Sequence, residues 1–285
     1  MSVQVPLMQK SDMTYQAFWR PLTVLYPERE AQWIGRVIME ECYGLTQSDI
    51  IMGKVERLDE QVLRTIQQRL LKGEPVQYVV GMAAFGDNLF MVSPSVLIPR
   101  PETLWLCHAV SETIGIMPRS VLDIGTGSGC IAITIALDRP TAMVTAWDIS
   151  NDALDLARSN ALRLEADVDF VHQDALCPPD NYNLWNVIVS NPPYICLQEQ
   201  AAMERNVLDF EPHLALFVPN DDPLLYYRSI ARYAIKALTA DGALFFEINP
   251  LYASELGDLL LDTGFKTVKI YQDDYDKDRY IIAWK

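Results

Sequence analysis

The residues best suited to chemistry stand at the end of an apolar run. Trp185-Asn186-Val187-Ile188-Val189-Ser190 leads directly into Asn191-Pro192-Pro193-Tyr194. Alone, that tetrapeptide reads as an ordinary strand-ending turn, because Asn-Pro and Pro-Pro are common turn dipeptides. At the tip of a strand it offers something more specific, two oxygen acceptors beside a flat ring. An amide or ring-amine nitrogen is a poor nucleophile because its lone pair is delocalised. A site that grips both N–H protons turns that lone pair toward an electrophile. Asn191 supplies a side-chain carbonyl for the purpose, and Pro192 a backbone carbonyl aimed by the fixed φ of its ring. Tyr194 supplies an aromatic face against a planar group. Alignment of this kind can lower a barrier by up to ~7–11 kcal/mol. No strong base is required, since the nitrogen becomes acidic only after it has been alkylated, and the chain has no obvious catalytic His or Cys.

A second group of residues could hold the source of the electrophile. Val121-Leu122-Asp123-Ile124-Gly125-Thr126-Gly127-Ser128-Gly129 reads as a strand, a glycine loop and the start of a helix. Glycines permit a sharp turn and close approach of a ligand to the backbone, and the helix that follows directs free N–H groups at it. A lone glycine loop is weak evidence, since dinucleotide enzymes use a similar one. The order D-x-G-x-G-x-G leans toward S-adenosylmethionine, with Asp123 placed to receive the ammonium of its methionine part. Asp148 ends the next strand candidate, 25 residues after Asp123. An acid there can accept from both ribose hydroxyls. Asp174 closes the third strand and could accept from the adenine amino group, with the N–H of Ala175 nearby. Each acid has a plain alternative as a loop cap or solvated charge, but three on one edge of a sheet favour a ligand.

These side chains need a scaffold. From Ser120 onward, strand candidates Val121–Ile124, Met143–Trp147, Val168–His172, Trp185–Ser190, Ala243–Ile248, Thr267–Tyr271 and Tyr280–Trp284 alternate with helix candidates. The helix candidates are Gly129–Leu137, Ser150–Leu164, Asp222–Leu238 and Tyr252–Thr263. That alternation predicts a largely parallel sheet covered on both faces. Gln272–Arg279 leaves no room for a crossover helix, so the last two strands should pair antiparallel. Upstream, Thr14 to Lys72 reads as helices. Trp33, Ile34, Val37 and Ile38 recur at helical spacing, as do Val62, Leu63, Ile66 and Leu70, and Thr46 or Ser48 is the expected cap of a helix start. Val76 to Val92 reads as two short strands broken near Gly86-Asp87-Asn88. Ser93 to Pro101 reads as a connector, followed by a helix from Glu102. The expected division is a helical segment 1–74, a hairpin and linker 75–101, and an α/β domain 102–285.

Composition narrows the functional classes. Half of the 285 residues are hydrophobic, enough for a sizeable core, and the formal charge is −15. Residues 1–115 carry 10 basic and 13 acidic residues, whereas residues 116–285 carry 13 and 25. Such a chain, with no basic run, suits no long contact with a phosphate backbone, and no stable nucleic-acid binding is expected. The cysteines Cys42, Cys107, Cys130, Cys177 and Cys196 show no C-x-x-C spacing. They indicate reduced thiols in a cytoplasmic protein, with neither a disulfide frame nor a metal site. The first residues, MSVQVPLMQKSDM, lack the apolar core of a signal peptide, and no apolar run is long enough to span a membrane.

With these motifs in view, the sequence resembles the HemK/PrmC family of protein-(glutamine-N5) methyltransferases over nearly its whole length. The resemblance is carried by Gly73-Glu74-Pro75-Val76-Gln77-Tyr78 with Gly81, by Val96-Leu97-Ile98-Pro99-Arg100-Pro101-Glu102-Thr103, and by the glycine loop. Asn191-Pro192-Pro193-Tyr194-Ile195, Phe210-Glu211-Pro212 and Lys277-Asp278-Arg279 add to it. It implies a Rossmann-like, S-adenosylmethionine-dependent methyltransferase domain with a mostly parallel seven-stranded sheet and one antiparallel strand, preceded by a small helical recognition domain. It further implies that Asn191, Pro192, Pro193 and Tyr194 hold a substrate glutamine. Gly125, Thr126, Gly127, Ser128, Gly129, Asp148, Ala175 and Asn191 would contact the cofactor. The family's usual substrate is the Gly-Gly-Gln loop of class I peptide chain release factors. Phe85 is the expected wall of the substrate pocket and Arg100 a further pocket residue. Arg100 has a competing role, preferred here, as an ion-pair partner of Glu102 that fixes the connector.

Three departures from the family pattern bear on docking and pocket detail rather than on the reaction. Leu104 stands where P-E-T-E has its last Glu, Ala84-Phe85-Gly86-Asp87 replaces E-F-x-G, and Ile248-Asn249-Pro250 replaces a glycine-containing turn after Glu247. The principal alternative is adenine-N6 methylation of DNA or RNA, which uses the same tetrapeptide but would require a basic reading module. A binding module without turnover is disfavoured by the intact motifs.

Overall fold

The computed structural model describes residues 13–285. The opening stretch, read above as lacking a signal-peptide core, lies outside the described residues up to Asp12. The chain forms two compact units, one running to Gly81 and including Glu204–Phe210, the other comprising Met82–Met203 and Glu211–Lys285.

The first unit is helical, with α1 (Tyr15–Trp19), α2 (Glu28–Val37), α3 (Gln47–Ile51), α4 (Glu60–Leu71) and α5 (Val76–Val80). The late segment α9 (Arg205–Phe210) belongs to it as well. Phe18, Leu22, Ile34, Ile38, Leu63 and Leu70 form its core. The expected cap before α3 is Thr46, whose hydroxyl accepts from the Asp49 N–H while the Asp49 carboxylate accepts from the Thr46 N–H. One expectation is overturned here: residues 76–80 are a helix rather than a strand. Val76 and Val79, three apart, are both buried on one face, and Gly81 at φ +79° ends the turn. The Arg69 guanidinium, paired with Glu74, also donates to the Tyr78 carbonyl at 3.2 Å. Burial and a long-range cap therefore override the strand preference of the valines.

The second unit opens with the hairpin of β1 (Met82–Phe85) and β2 (Asn88–Met91), followed by α6 (Leu104–Ile114). There follow β3 (Ser120–Ile124), α7 (Cys130–Asp138), β4 (Met143–Asp148), α8 (Asn151–Leu164), β5 (Val168–His172) and β6 (Trp185–Ser190). After β7 (Ile195–Cys196), α10 (His213–Leu216) and β8 (Phe217–Val218) come α11 (Leu225–Ala237), β9 (Leu238–Glu247), α12 (Ala253–Thr263), β10 (Thr267–Gln272) and β11 (Asp278–Trp284). The seven-stranded sheet has the order β10-β11-β9-β6-β3-β4-β5. Only β11 runs against the others, pairing antiparallel with both β9 and β10.

Strand alternation divides the core into two layers. Val121, Val187 and Val189 pack with α6, α7 and α8 on one face, whereas Leu122, Ile124 and Ile188 pack with α11 and α12 on the other. From β3 the chain winds outward through β4 to β5, then returns to lay β6 on the opposite side of β3. That reversal opens a crevice at the carboxyl ends of β3 and β6, the position where such sheets bind ligands. Among the described residues no helix is long and apolar enough to cross a membrane.

Candidate active site

A cavity of about 500 Å³ lies over that crevice. Its floor is the glycine loop. The N–H groups of Gly125 and Thr126 both donate to the Trp147 carbonyl at 2.9 Å, and that of Gly127 donates to Asp148 Oδ2 at 2.9 Å. The loop is thereby drawn under the end of β4. Gly125 and Gly127 adopt φ of +77° and +55°, and a Cβ on either would meet nothing within 4 Å. That open space is what a ligand lying against the backbone requires. At Gly129, φ +82°, the demand is packing: a Cβ would come 2.8 Å from Ile133 Cδ1 and 3.2 Å from Ala157 Cβ. Asn160, fully buried in α8, donates to the carbonyls of Ser128 and Met91 and accepts from the Met91 N–H, tying the loop to the β1–β2 hairpin.

Asp148 and Asp174 line the cavity as expected residues at strand ends. Burial raises the Asp148 carboxyl above its ordinary range, against the N–H donors of Ser150 and Gly127 that hold it down. An ionised carboxylate has about four acceptor sites, so these two bonds leave room for hydroxyl donors. Asp174 Oδ1 accepts from the Leu176 N–H at 2.8 Å, and the Ala175 carbonyl accepts from Ser229 Oγ at 2.7 Å. Asp123 is placed differently. Its carboxyl is buried behind the loop and lines no part of the cavity. Oδ2 accepts from Thr126 Oγ1 at 2.7 Å, whereas Oδ1 and the neighbouring Ser128 Oγ have no partner. Burial, opposed by the Thr126 hydroxyl, pushes the Asp123 carboxyl up to about 7.

At the other end, Ser190 Oγ donates to the Ile124 carbonyl at 2.6 Å and joins the tips of β6 and β3. Asn191, Pro192 and Pro193 line the cavity. The Asn191 amide Nδ2 donates to Thr103 Oγ1 at 3.3 Å, and Thr103 Oγ1 donates to Glu247 Oε2 at 2.6 Å. Glu247 Oε1 accepts from the Tyr194 hydroxyl at 3.1 Å. Burial raises the Glu247 carboxyl, while the Thr103 and Tyr194 hydrogen bonds and the Arg279 charge lower it. Tyr194, expected to present its ring to the substrate, does not line the cavity: it is partly buried against the α11–α12 layer, with its hydroxyl pushed upward by burial and by Glu247. Cys130 also lines the cavity, but burial pushes its thiol up to about 12, so it stays protonated and unreactive.

The expectations for Phe85 and for the partner of Arg100 also change. Phe85 lies 2% exposed in the core, its ring edge-on to Phe90 with centroids 6.0 Å apart, and lines no part of this cavity. Alternation along β1 turns Ala83 and Phe85 inward and Ala84 outward. Arg100 does line the cavity, but its ion-pair partner is Glu211, at 2.5 Å, and not the exposed Glu102. Glu211 also accepts from the Ile98 N–H at 3.2 Å. The L-I-P-R stretch is thus anchored to the F-E-P stretch.

Thr103, Glu247, Glu211 and Asn249 received no role from the sequence. Asn249 Nδ2 donates to the Tyr194 carbonyl at 3.1 Å and to the Glu199 carboxylate. The departure from a glycine turn at this position therefore supplies a new hold on the tetrapeptide. The local signal for Glu247 was an acid closing the apolar run Ala243–Phe246, the same signature that drew attention to Asp148.

Similarity to known proteins agrees with this geometry. Residues 24–81 match the family model described as PrmC N-terminal domain, and residues 103–210 match Methyltransferase small domain. A release factor glutamine methyltransferase of Bacteroides thetaiotaomicron is 41% identical over 263 residues, covering 91% of this chain and 94% of the relative. One from Flavobacterium psychrophilum is 37% identical over 93% of this chain and 95% of its own. The hMettl16 catalytic domain, solved with an RNA hairpin, aligns at TM-score 0.54 over 69% of this chain and 74% of its own. At 18% identity it shares the fold alone. The chain belongs to the release factor glutamine methyltransferase family.

Proposed function

We propose that this protein transfers a methyl group from S-adenosylmethionine to the side-chain amide nitrogen of a glutamine, the one in the Gly-Gly-Gln loop of class I peptide chain release factors. The observation that carries the reading is the orientation of Asn191 at the cavity wall. With Nδ2 committed to Thr103, the carboxamide is left with its oxygen to offer a substrate N–H. Pro192 has no N–H and offers a carbonyl alone. Two acceptors suit the two hydrogens of a primary amide, and holding both aligns the nitrogen lone pair with the methyl donor.

The residues present fit that donor. Gly125 to Ser128 give a backbone cradle with space above it, Asp148 retains acceptor capacity for ribose hydroxyls, and Asp174 with Ala175 forms the far wall. Asp123 acts from beneath the loop by holding Thr126, whose hydroxyl it accepts from, and not as a direct contact of the donor. When bound, S-adenosylmethionine supplies an electrophilic methyl on a sulfonium. The chain supplies alignment; the proton leaves once the nitrogen has been methylated.

We assign recognition of the folded partner to residues 1–74, linkage to 75–101, catalysis to 102–285, and the setting to the cytoplasm, where translation terminates. The test is mass spectrometry of a purified class I release factor incubated with this protein and isotopically labelled S-adenosylmethionine. One labelled methyl on the Gly-Gly-Gln glutamine is the expected result. No label there, or greater transfer to DNA or RNA adenine, contradicts it.

A further inference from the structure

We propose that Glu247, acting through Thr103, is the positioning residue that decides which end of the Asn191 carboxamide meets the substrate. The inference rests on the reading of Asn191 as acceptor for the glutamine amide. The two ends of a carboxamide are nearly equal in size, so packing alone does not select between them. Hydrogen-bond polarity does. A threonine hydroxyl has a single hydrogen. The Glu247 carboxylate takes it at 2.6 Å, so Thr103 Oγ1 can only accept from Asn191. The Asn191 group that can donate is Nδ2, found 3.3 Å away. Oδ1 is thereby turned from Thr103 and kept for the substrate. The opposite rotamer would set the Asn191 amine against the substrate amine, donor against donor.

The carboxylate is built for this task. Glu247 ends β9 with 3% exposure, and its own carbonyl accepts from the buried Tyr227 hydroxyl at 3.0 Å, which fixes the strand end. Its second oxygen holds the Tyr194 hydroxyl at 3.1 Å. One buried acid therefore grips both ends of the tetrapeptide, and Asn249, two residues on, holds the Tyr194 carbonyl. Nothing in this arrangement places Glu247 on the substrate itself; it is absent from the cavity lining.

The test compares Thr103→Val, Thr103→Ser and Glu247→Gln with the wild-type full-length protein on a class I release factor. Cofactor affinity is measured by calorimetry. Hydrogen exchange of the Asn191 side-chain amide is followed by NMR with neither cofactor nor substrate present. Thr103→Val should lower kcat about 100-fold, the scale of a small misplacement at the reacting centre, with cofactor affinity and KM for the release factor little changed. Glu247→Gln should act in the same direction, because a Gln amine can donate to Thr103 and reverse the relay. Thr103→Ser should recover most of what Thr103→Val loses. In the exchange experiment one Asn191 amide hydrogen should be protected in the wild type and in Thr103→Ser, and neither in Thr103→Val. Near-normal kcat in Thr103→Val, or identical Asn191 exchange in Thr103→Val and wild type, overturns the proposal. If Glu247→Gln does not fold, Thr103→Val decides alone, since it exchanges one hydroxyl for a methyl. A wild type that methylates no release factor would count against the functional reading, and the exchange measurement would still decide the positioning role.

Discussion

The two halves of the sheet hold their ends of the cavity by different means. On the β3–β4–β5 side the work is done mainly by backbone. Successive loop N–H groups reach the Trp147 carbonyl and Asp148, and glycines adopt positive-φ conformations that other residues rarely take. On the β6–β9 side it is done by side chains from three distant segments, Thr103, Asn191 and Glu247, linked in series. A backbone cradle tolerates change at any position that needs no special φ. A side-chain relay fails when a single member changes, because each hydrogen bond sets the polarity of the next.

The contrast predicts that damage will separate into binding and turnover. Asn191→Ala should lower methylation by about a thousandfold or more through lost alignment, with folding intact and cofactor affinity near wild type or modestly weakened. Single-turnover kinetics and calorimetry would measure the two separately. Retained activity would remove Asn191 from the mechanism and erase the distinction.

Asp148→Asn should do the reverse. Asp148 accepts from Gly127 and Ser150 and has capacity left for a ligand, and a hydrogen bond to a charged group is worth about 1.5–3 kcal/mol. Cofactor Kd should therefore rise by about 10–100-fold, while kcat at saturating cofactor changes far less. A large fall in kcat at unchanged Kd would contradict the division.

Gly129→Ala tests the cradle's conformational demand. Its positive φ, with Ala157 Cβ 3.2 Å from the added methyl, should cost about 1–3 kcal/mol of stability, read from urea unfolding. An unchanged midpoint would mean that the loop relaxes freely.

The smallest effect concerns pH. Burial pushes the Asp123 carboxyl from an ordinary 3.8 up to about 7. The folded protein therefore retains a proton that the unfolded chain releases, so this group's contribution to stability is greatest below about pH 4 and declines as pH rises toward about 7. Without cofactor, the unfolding free energy of the wild type relative to Asp123→Asn should fall across that window. A constant difference between the two proteins would show that Asp123 does not titrate there.

How much of this was legible in the sequence follows from the same contrast. The glycine loop, the three strand-ending acids and the tetrapeptide are local patterns, and the sheet with its antiparallel late strand followed from strand spacing. The relay was not legible, because its bonds join residues 88 and 144 positions apart and no local pattern encodes such a meeting. Sequence proximity points Arg100 to Glu102, whereas its partner is a buried acid 111 residues away. The family resemblance makes Phe85 a pocket wall, whereas strand alternation directs it into the core. Residues 76–80 carried strand-forming valines, yet their burial at helical spacing decided the outcome.

The claim at the centre is that a primary amide is gripped by two oxygens at the tip of β6. A crystal structure with S-adenosylhomocysteine and a Gly-Gly-Gln peptide tests it most directly. The glutamine nitrogen should lie within hydrogen-bond distance, about 2.7–3.2 Å, of both Asn191 Oδ1 and the Pro192 carbonyl. A glutamine bound with its oxygen toward these groups, or an Asn191 with Nδ2 facing the substrate, would contradict the account.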